Sequence, residues 1–185
     1  MTLVGPILGA WRAEPVPIPP NLVPRVDQAC RANLGADLPA GAVISLIDAR
    51  GGGVLQTYYY ASVSGGWASC TDMAVDRLGG VSAERFHAVS GGTEELDPLE
   101  LEFTDFNWSG DDPITASYLV GRSGAGIARV EIRSPGQPSI VASSANGWWA
   151  AWTPGPMPAR WSIVAVDALG REVDAVEGVP QDPPG

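Results

Sequence analysis

The sequence predicts an all-β fold, an antiparallel β-sandwich carrying one short N-terminal helix. Three observations predict it. Gly (23) and Pro (17) both exceed ordinary use and cut the chain of 185 residues into many short elements. From Ala42 to Glu177 apolar and polar residues alternate, as in Arg129-Val130-Glu131-Ile132-Arg133, which sends one side to a core and the other to water. A helical period is clear in one segment only. The apolar fraction, 45%, is enough to bury a core.

The first segment, residues 1–21, is apolar and then Pro-rich. Thr2 to Trp11 is too short to span a bilayer and lacks a basic flank. It reads as an N-terminal strand or disordered start, or as the stump of a signal or of a membrane anchor lying upstream of residue 1. Glu14 to Pro24 (EPVPIPPNLVP) is extended, either a spacer or a strap along a domain surface. The helix is expected over Val23 to Leu34: Pro24 suits its first turn, and Gly35 ends it. Leu22, Val26, Cys30 and Leu34 recur every four residues as one apolar stripe. Cys30 therefore faces inward. A bond to Cys70 would clip a helix too short to persist alone onto the first sheet, worth about 4 kcal/mol in the chain-entropy model.

Strands are then expected at Val43–Asp48, Val54–Ala61, Gly66–Val75, Glu84–Ser90, Leu99–Thr104, Ile114–Gly121, Ile127–Arg133, Ser139–Ser143, Gly147–Trp152, Trp161–Asp167 and Arg171–Glu177. The first pair flanks Arg50-Gly51-Gly52-Gly53 and the last turns at Ala168-Leu169-Gly170, both hairpin grammar. The chain thus divides into a helix plus first β-unit (22–112), a second β-unit (113–178) and a flexible tail (179–185). The two units are separate or form one continuous domain. VISLIDARGGGVLQTYYYASVSGGWASC and IARVEIRSPGQPSIVASSANGWWAAW share a strand, turn, strand, Gly-Trp layout, either as a duplication or as common hairpin grammar.

Tyr118 to Val173 carries Val-Gly-Arg-x-Gly, Asn-Gly-Trp-Trp-Ala-Ala-Trp and a closing Asp-Ala-Leu-Gly-Arg hairpin. In these motifs it resembles exported or membrane-anchored β-rich proteins of unknown function from high-GC bacteria. VDQACRANL, LIDARGGG and GWASC are similar to the matching N-terminal part, so the resemblance covers about two thirds of the chain. The final hairpin also resembles bacterial immunoglobulin-like modules, so the layout expected is immunoglobulin-like. The resemblance implies an extracytoplasmic location, secreted or surface-anchored, and supplies no activity.

Charge narrows the partners. Asp plus Glu number 21 against 11 basic residues, all Arg and scattered singly, for a net −10. No basic stripe is present for a nucleic acid, and the same repulsion opposes anionic membranes. The expected partner is a protein or glycan surface, or a second copy pairing through sheet edges that lack lysine. The two cysteines, Cys30 and Cys70, would pair in an exported chain and sit as small apolar residues in a cytosolic one.

Catalytic signals are weak, and the expectation is a chain that is not an enzyme and needs no cofactor. His87, the one histidine, has no nucleophile-elbow motif beside it. Glu94, Glu95, Asp97, Glu100 and Glu102 read as a solvated face, or as the carboxylate pair of a carbohydrate-active hydrolase. Asp105, Asn107, Ser109 and Asp111 match the opening of a calcium loop, although Ala116 stands where the closing Glu belongs. An Asx-rich turn is the plainer reading. Aromatic residues carry the leading functional expectation. Trp149 lies opposite Trp148 and Trp152 on one strand, and Tyr58, Tyr59 and Tyr60 pose the same alternation, so some rings either stand outside the core or lie under a covering layer. With Trp108 they are the candidate ligand-contact residues of an extracytoplasmic, non-catalytic binding or structural module. A hydrolase and a self-assembling subunit are the alternatives.

Overall fold

The architecture comes from a computed structural model that describes residues 11–50, 55–62, 67–73, 86–88, 96–98, 100–109, 116–154 and 157–178. It is mostly antiparallel sheet with one short helix. The chain divides into two compact units at Glu94/Glu95.

In the first unit, helix α1 (Val23–Leu34) has the expected bounds. It has Pro in its first turn but no side-chain N-cap. Gly35 ends it at φ +52°, a value only glycine adopts freely, with its N–H on the Arg31 carbonyl. Four strands follow as an antiparallel meander: β1 (Val43–Ala49), β2 (Leu55–Ala61), β3 (Trp67–Met73) and β4 (Phe86–Ala88). A register shift between Ile44 and Leu46 resets the alternation, so Ile44 and Ile47 share the helix-facing side although they are an odd number apart. Val26, Cys30 and Leu34 pack there on Ala42, Tyr58, Tyr60, Ala68 and Cys70. The predicted disulfide is present: Cys30 and Cys70 are bonded, with Cα atoms 5.8 Å apart.

Residues 11–22 form a strap rather than a free spacer. Arg12 N–H donates to the Arg50 carbonyl (2.8 Å) and Val16 N–H to the Ala49 carbonyl (2.9 Å). The Arg50 guanidinium fills the bend between them, Nη1 donating to the Ala13 carbonyl at 2.8 Å and Nε to Asp48 Oδ1 at 2.8 Å. Both Asp48 and Arg50 are fully buried.

The second unit contains β5 (Leu101–Ser109), β6 (Ala116–Ser123), β7 (Ile127–Arg133), β8 (Ile140–Val141), β9 (Ser143–Ala145), β10 (Trp148–Pro154), β11 (Ser162–Asp167) and β12 (Glu172–Glu177). They make two four-stranded sheets, ordered β5-β6-β10-β9 and β12-β11-β7-β8. Leu119, Trp149 and Ala151 of the first sheet meet Val130, Ile132, Ile163 and Ala165 of the second in one core. On the outer face of the second sheet Val164 and Val166 are also buried. Their cross-strand neighbours Glu131, Arg129 and Glu172 join Arg133 in an ion-paired network of 2.7–2.9 Å contacts, whose alkyl stems shield the valines.

Three sequence-based expectations need correction. The boundary at 112/113 moves to Glu94/Glu95, since β5 pairs with β6 along its length and belongs to the second unit. The suspected repeat is not structural: β1, β2 and β3 run consecutively in one sheet, whereas β7–β10 divide between two. Asp105, Asn107 and Ser109 lie on the extended strand β5, not in a turn. Asp111 lies outside the described residues.

Candidate functional site

One end of the second unit gathers four chain segments. Register fixes their meeting: Leu101 pairs with Ser123, Trp148 with Arg122, and Asp167 with Ile127. The connection from β6 to β7, the β9–β10 turn, the β11–β12 turn and the segment before β5 therefore share this end. Backbone bonds stitch them together. Ser123 N–H donates to the Gly147 carbonyl, Gly124 N–H to Glu100 and Gly126 N–H to Pro98, at 2.7–2.9 Å. A Cβ on Gly124 would lie 2.0 Å from the Asp97 carbonyl oxygen, so this approach requires glycine. The β9–β10 turn is the two residues Asn146 (φ +53°) and Gly147 (φ +76°), both in the left-handed region that such hairpins demand.

The β11–β12 turn is the most heavily braced of the four. Asp167 Oδ1 accepts the N–H groups of Leu169 (2.8 Å) and Arg171 (2.9 Å), and Oδ2 accepts Arg171 Nε at 2.8 Å and Nη2 at 2.7 Å. Gly170, at φ +78°, completes the turn. The Arg171 N–H bond first, then the Arg171 side chain and the Leu169 N–H, hold the Asp167 carboxyl below its ordinary pKa against the opposing effect of desolvation. On this fixed tip Leu169 is 77% exposed. Its isobutyl group therefore stands in solvent between the likewise exposed Ala168 and Gly170.

Four of the five aromatic candidates are buried. Tyr58, Tyr59, Tyr60 and Trp149 are each at most 4% exposed. Trp149 fills the sandwich core and donates Nε1–H to the Arg122 carbonyl at 3.1 Å, while Ala150 and Trp152, pointing the other way, are also buried. Tyr58 and Tyr60 lie under α1. Tyr59, on the other face of β2, packs 6.3 Å from the Trp67 ring. Both faces of these strands are covered, the second of the two options the alternation allowed. The backbone of Trp108 is in β5 opposite Ser117, and that of His87 in β4 opposite Ala68; their side chains lie outside the described set.

Of the acidic group, Asp97 and Glu100 are exposed and close a turn on each other: Asp97 N–H meets Glu100 Oε2 and Glu100 N–H meets the Asp97 carbonyl, both at 2.9 Å. The backbone of Glu102 is in β5, and Glu94 and Glu95 lie outside the described residues. Among the described residues no three of His, Cys, Asp and Glu are grouped to hold a metal ion, and no helix is long and apolar enough to cross a membrane.

Two features escaped sequence reasoning. Leu169 had a signal: an apolar residue inside an Asp-x-x-Gly turn, where polar residues are usual. Asp48 and Arg50 had one too, opposite charges two apart at the end of a mostly apolar strand, hence on one face.

No protein-family model matches the chain, and no curated protein or solved structure matches it.

Proposed function

We propose that this chain is an extracytoplasmic, non-catalytic binding or structural module that meets a protein partner through the loop end of its second unit. The observation that carries the reading is Leu169: a large apolar side chain, 77% exposed, on a turn braced by four hydrogen bonds to one carboxylate. A tip already rigid loses little conformational entropy on docking, which is how a small contact gains affinity. Two further features support it. The strand orders β5-β6-β10-β9 and β12-β11-β7-β8 support an immunoglobulin-like reading, in which β5, β6, β10, β9 would be strands A, B, E, D and β12, β11, β7, β8 would be G, F, C, C′. In that reading the cluster is the end bearing the B–C, D–E and F–G loops. The second unit departs from antibody domains in placing its buried Trp149 on strand E. Such a likeness is analogy of fold and bears on function only through the site. The Cys30–Cys70 bond favours an oxidising compartment.

Leu169→Asp tests the proposal. It should abolish crosslinking of the native chain to its partner in the source cells while leaving the unfolding midpoint within about 0.5 kcal/mol of the parent, as for a surface substitution. Undiminished crosslinking would remove the loop end from the contact.

A further inference from the structure

The disulfide lies beneath a polar clamp. Cys30 and Cys70 are both fully buried, and the bond spans a sequence separation of 40. On α1, Asp27 and Arg31 lie one turn apart along one flank of Cys30; on the sheet, Tyr58 pairs with Cys70 and Tyr60 with Ala68. The Tyr60 hydroxyl donates to Asp27 Oδ1 at 2.9 Å, and Arg31 Nε donates to the same oxygen at 2.9 Å. The Arg31 guanidinium carbon sits 5.2 Å from the Tyr60 ring centroid, and both its Nη atoms reach the Ala42 carbonyl at 3.4 Å. Helix, sheet and the residue before β1 are thus joined along one flank of the disulfide by one tyrosine, one carboxylate and one guanidinium.

Thiol–disulfide exchange needs a thiolate to reach a sulfur atom. With the clamp closed there is no surface at which to do so. The opening that gives access need not unfold the sheet: α1 has only 12 residues and no side-chain cap, so its turns can loosen around Cys30 while the bond to Cys70 still tethers it. We infer that the Asp27–Tyr60–Arg31 clamp is the gate to the Cys30–Cys70 bond, and that a dithiol reductant acts only on the form in which the clamp has parted and the turns of α1 around Cys30 have loosened. In the open form one thiolate of the reductant attacks a cysteine sulfur and expels the other as a thiolate. The reductant's second thiol then resolves the mixed disulfide. Two electrons pass from the dithiol, which becomes a cyclic disulfide, and Cys30 and Cys70 end as thiols. The clamp therefore keeps the covalent lock intact in surroundings that contain dithiols.

Dithiothreitol reduction of the native full chain, at fixed pH without denaturant, with alkylation and mass measurement over time, tests the gate. Tyr60→Phe keeps the ring beneath Arg31 and removes the hydroxyl donor to a charged acceptor; it should speed reduction about tenfold. Asp27→Asn leaves an acceptor for Tyr60 but discharges the partner of Arg31, and should speed it about threefold. Gln137→Ala, at an exposed position in the other unit, should leave the rate unchanged. The same order is expected with tris(2-carboxyethyl)phosphine. Wild-type rates in both clamp variants would overturn the proposal, as would reduction that merely keeps pace with exchange of the β2 amides, since the sheet itself would then be opening. Asp27→Asn alone decides if Tyr60→Phe fails to fold.

Discussion

Arg50 shows how one side chain fixes a backbone. Its guanidinium is fully buried between Asp48 Oδ1 and the Ala13 carbonyl, so the strap cannot leave without stranding a charge. Arg50→Gln should destabilise the first unit by about 3–5 kcal/mol in urea unfolding, because Asp48 is then buried without its counter-charge; Asp48→Leu combined with Arg50→Met should cost much less than the sum of the single changes. Trp149→Ala should cost the second unit about 3–5 kcal/mol through the cavity left between its sheets. Tyr60 responds to alkali. Burial first, and then the bond to Asp27, raise its hydroxyl pKa far above the ordinary value. The neutral form is the one the fold stabilises, so its contribution is complete below about pH 10, the unfolded value, and is lost as pH climbs toward the folded one. Unfolding titrations from pH 8 upward should show this loss in the parent and not in Tyr60→Phe. Period-two alternation placed Trp149 and Tyr59 correctly on faces opposite their neighbours. It was silent on whether those faces were wet, since alternation within one strand carries no information about what covers it.

At the level of elements, close approach and turn chemistry set the limits. A Cβ on Gly178 would lie 2.1 Å from the Trp161 indole, and one on Gly124 would overlap the Asp97 carbonyl. Gly178→Ala and Gly124→Ala should each cost about 1–3 kcal/mol by calorimetry, whereas Ala168→Ser, on the exposed β11–β12 tip, should be neutral. That turn also carries an acid response. The folded pKa of Asp167 is depressed, so its stabilisation is present above the unfolded value near 4 and is lost as pH falls through the lower folded one. Asp167→Asn should flatten this dependence in unfolding curves between pH 6 and 2. The helix and the last hairpin were legible in the sequence because their signals are local: a stripe of period four ended by glycine, and two alternating runs around Ala-Leu-Gly. The strand expected over Ser139–Ser143 was not. It breaks at Ala142, whose N–H donates to the Val130 carbonyl, leaving β8 in one sheet and β9 in the other. Alternation continues through such a crossing, so the pattern hides it. The turn expected to begin at Asp105 gave way for the complementary reason: alternating oxygens also describe the polar side of a strand, and β5 is one.

For the whole molecule, the division into two units with separate cores has a thermodynamic signature. Reduction of Cys30–Cys70 should lower the stability of the first unit by about 4 kcal/mol and leave the transition of the second in place, which scanning calorimetry with and without reductant would show. The sequence displayed both units but misplaced their border, because the affiliation of β5 depends on pairing with β6 and not on any feature within β5. The disulfide also makes the first unit a closed covalent ring between Cys30 and Cys70. A protease that severs the chain once anywhere in that ring produces no separate fragments. The nicked protein would migrate as one band in a denaturing gel run without reductant and as two once thiol is added, so damage there stays silent until the surroundings turn reducing.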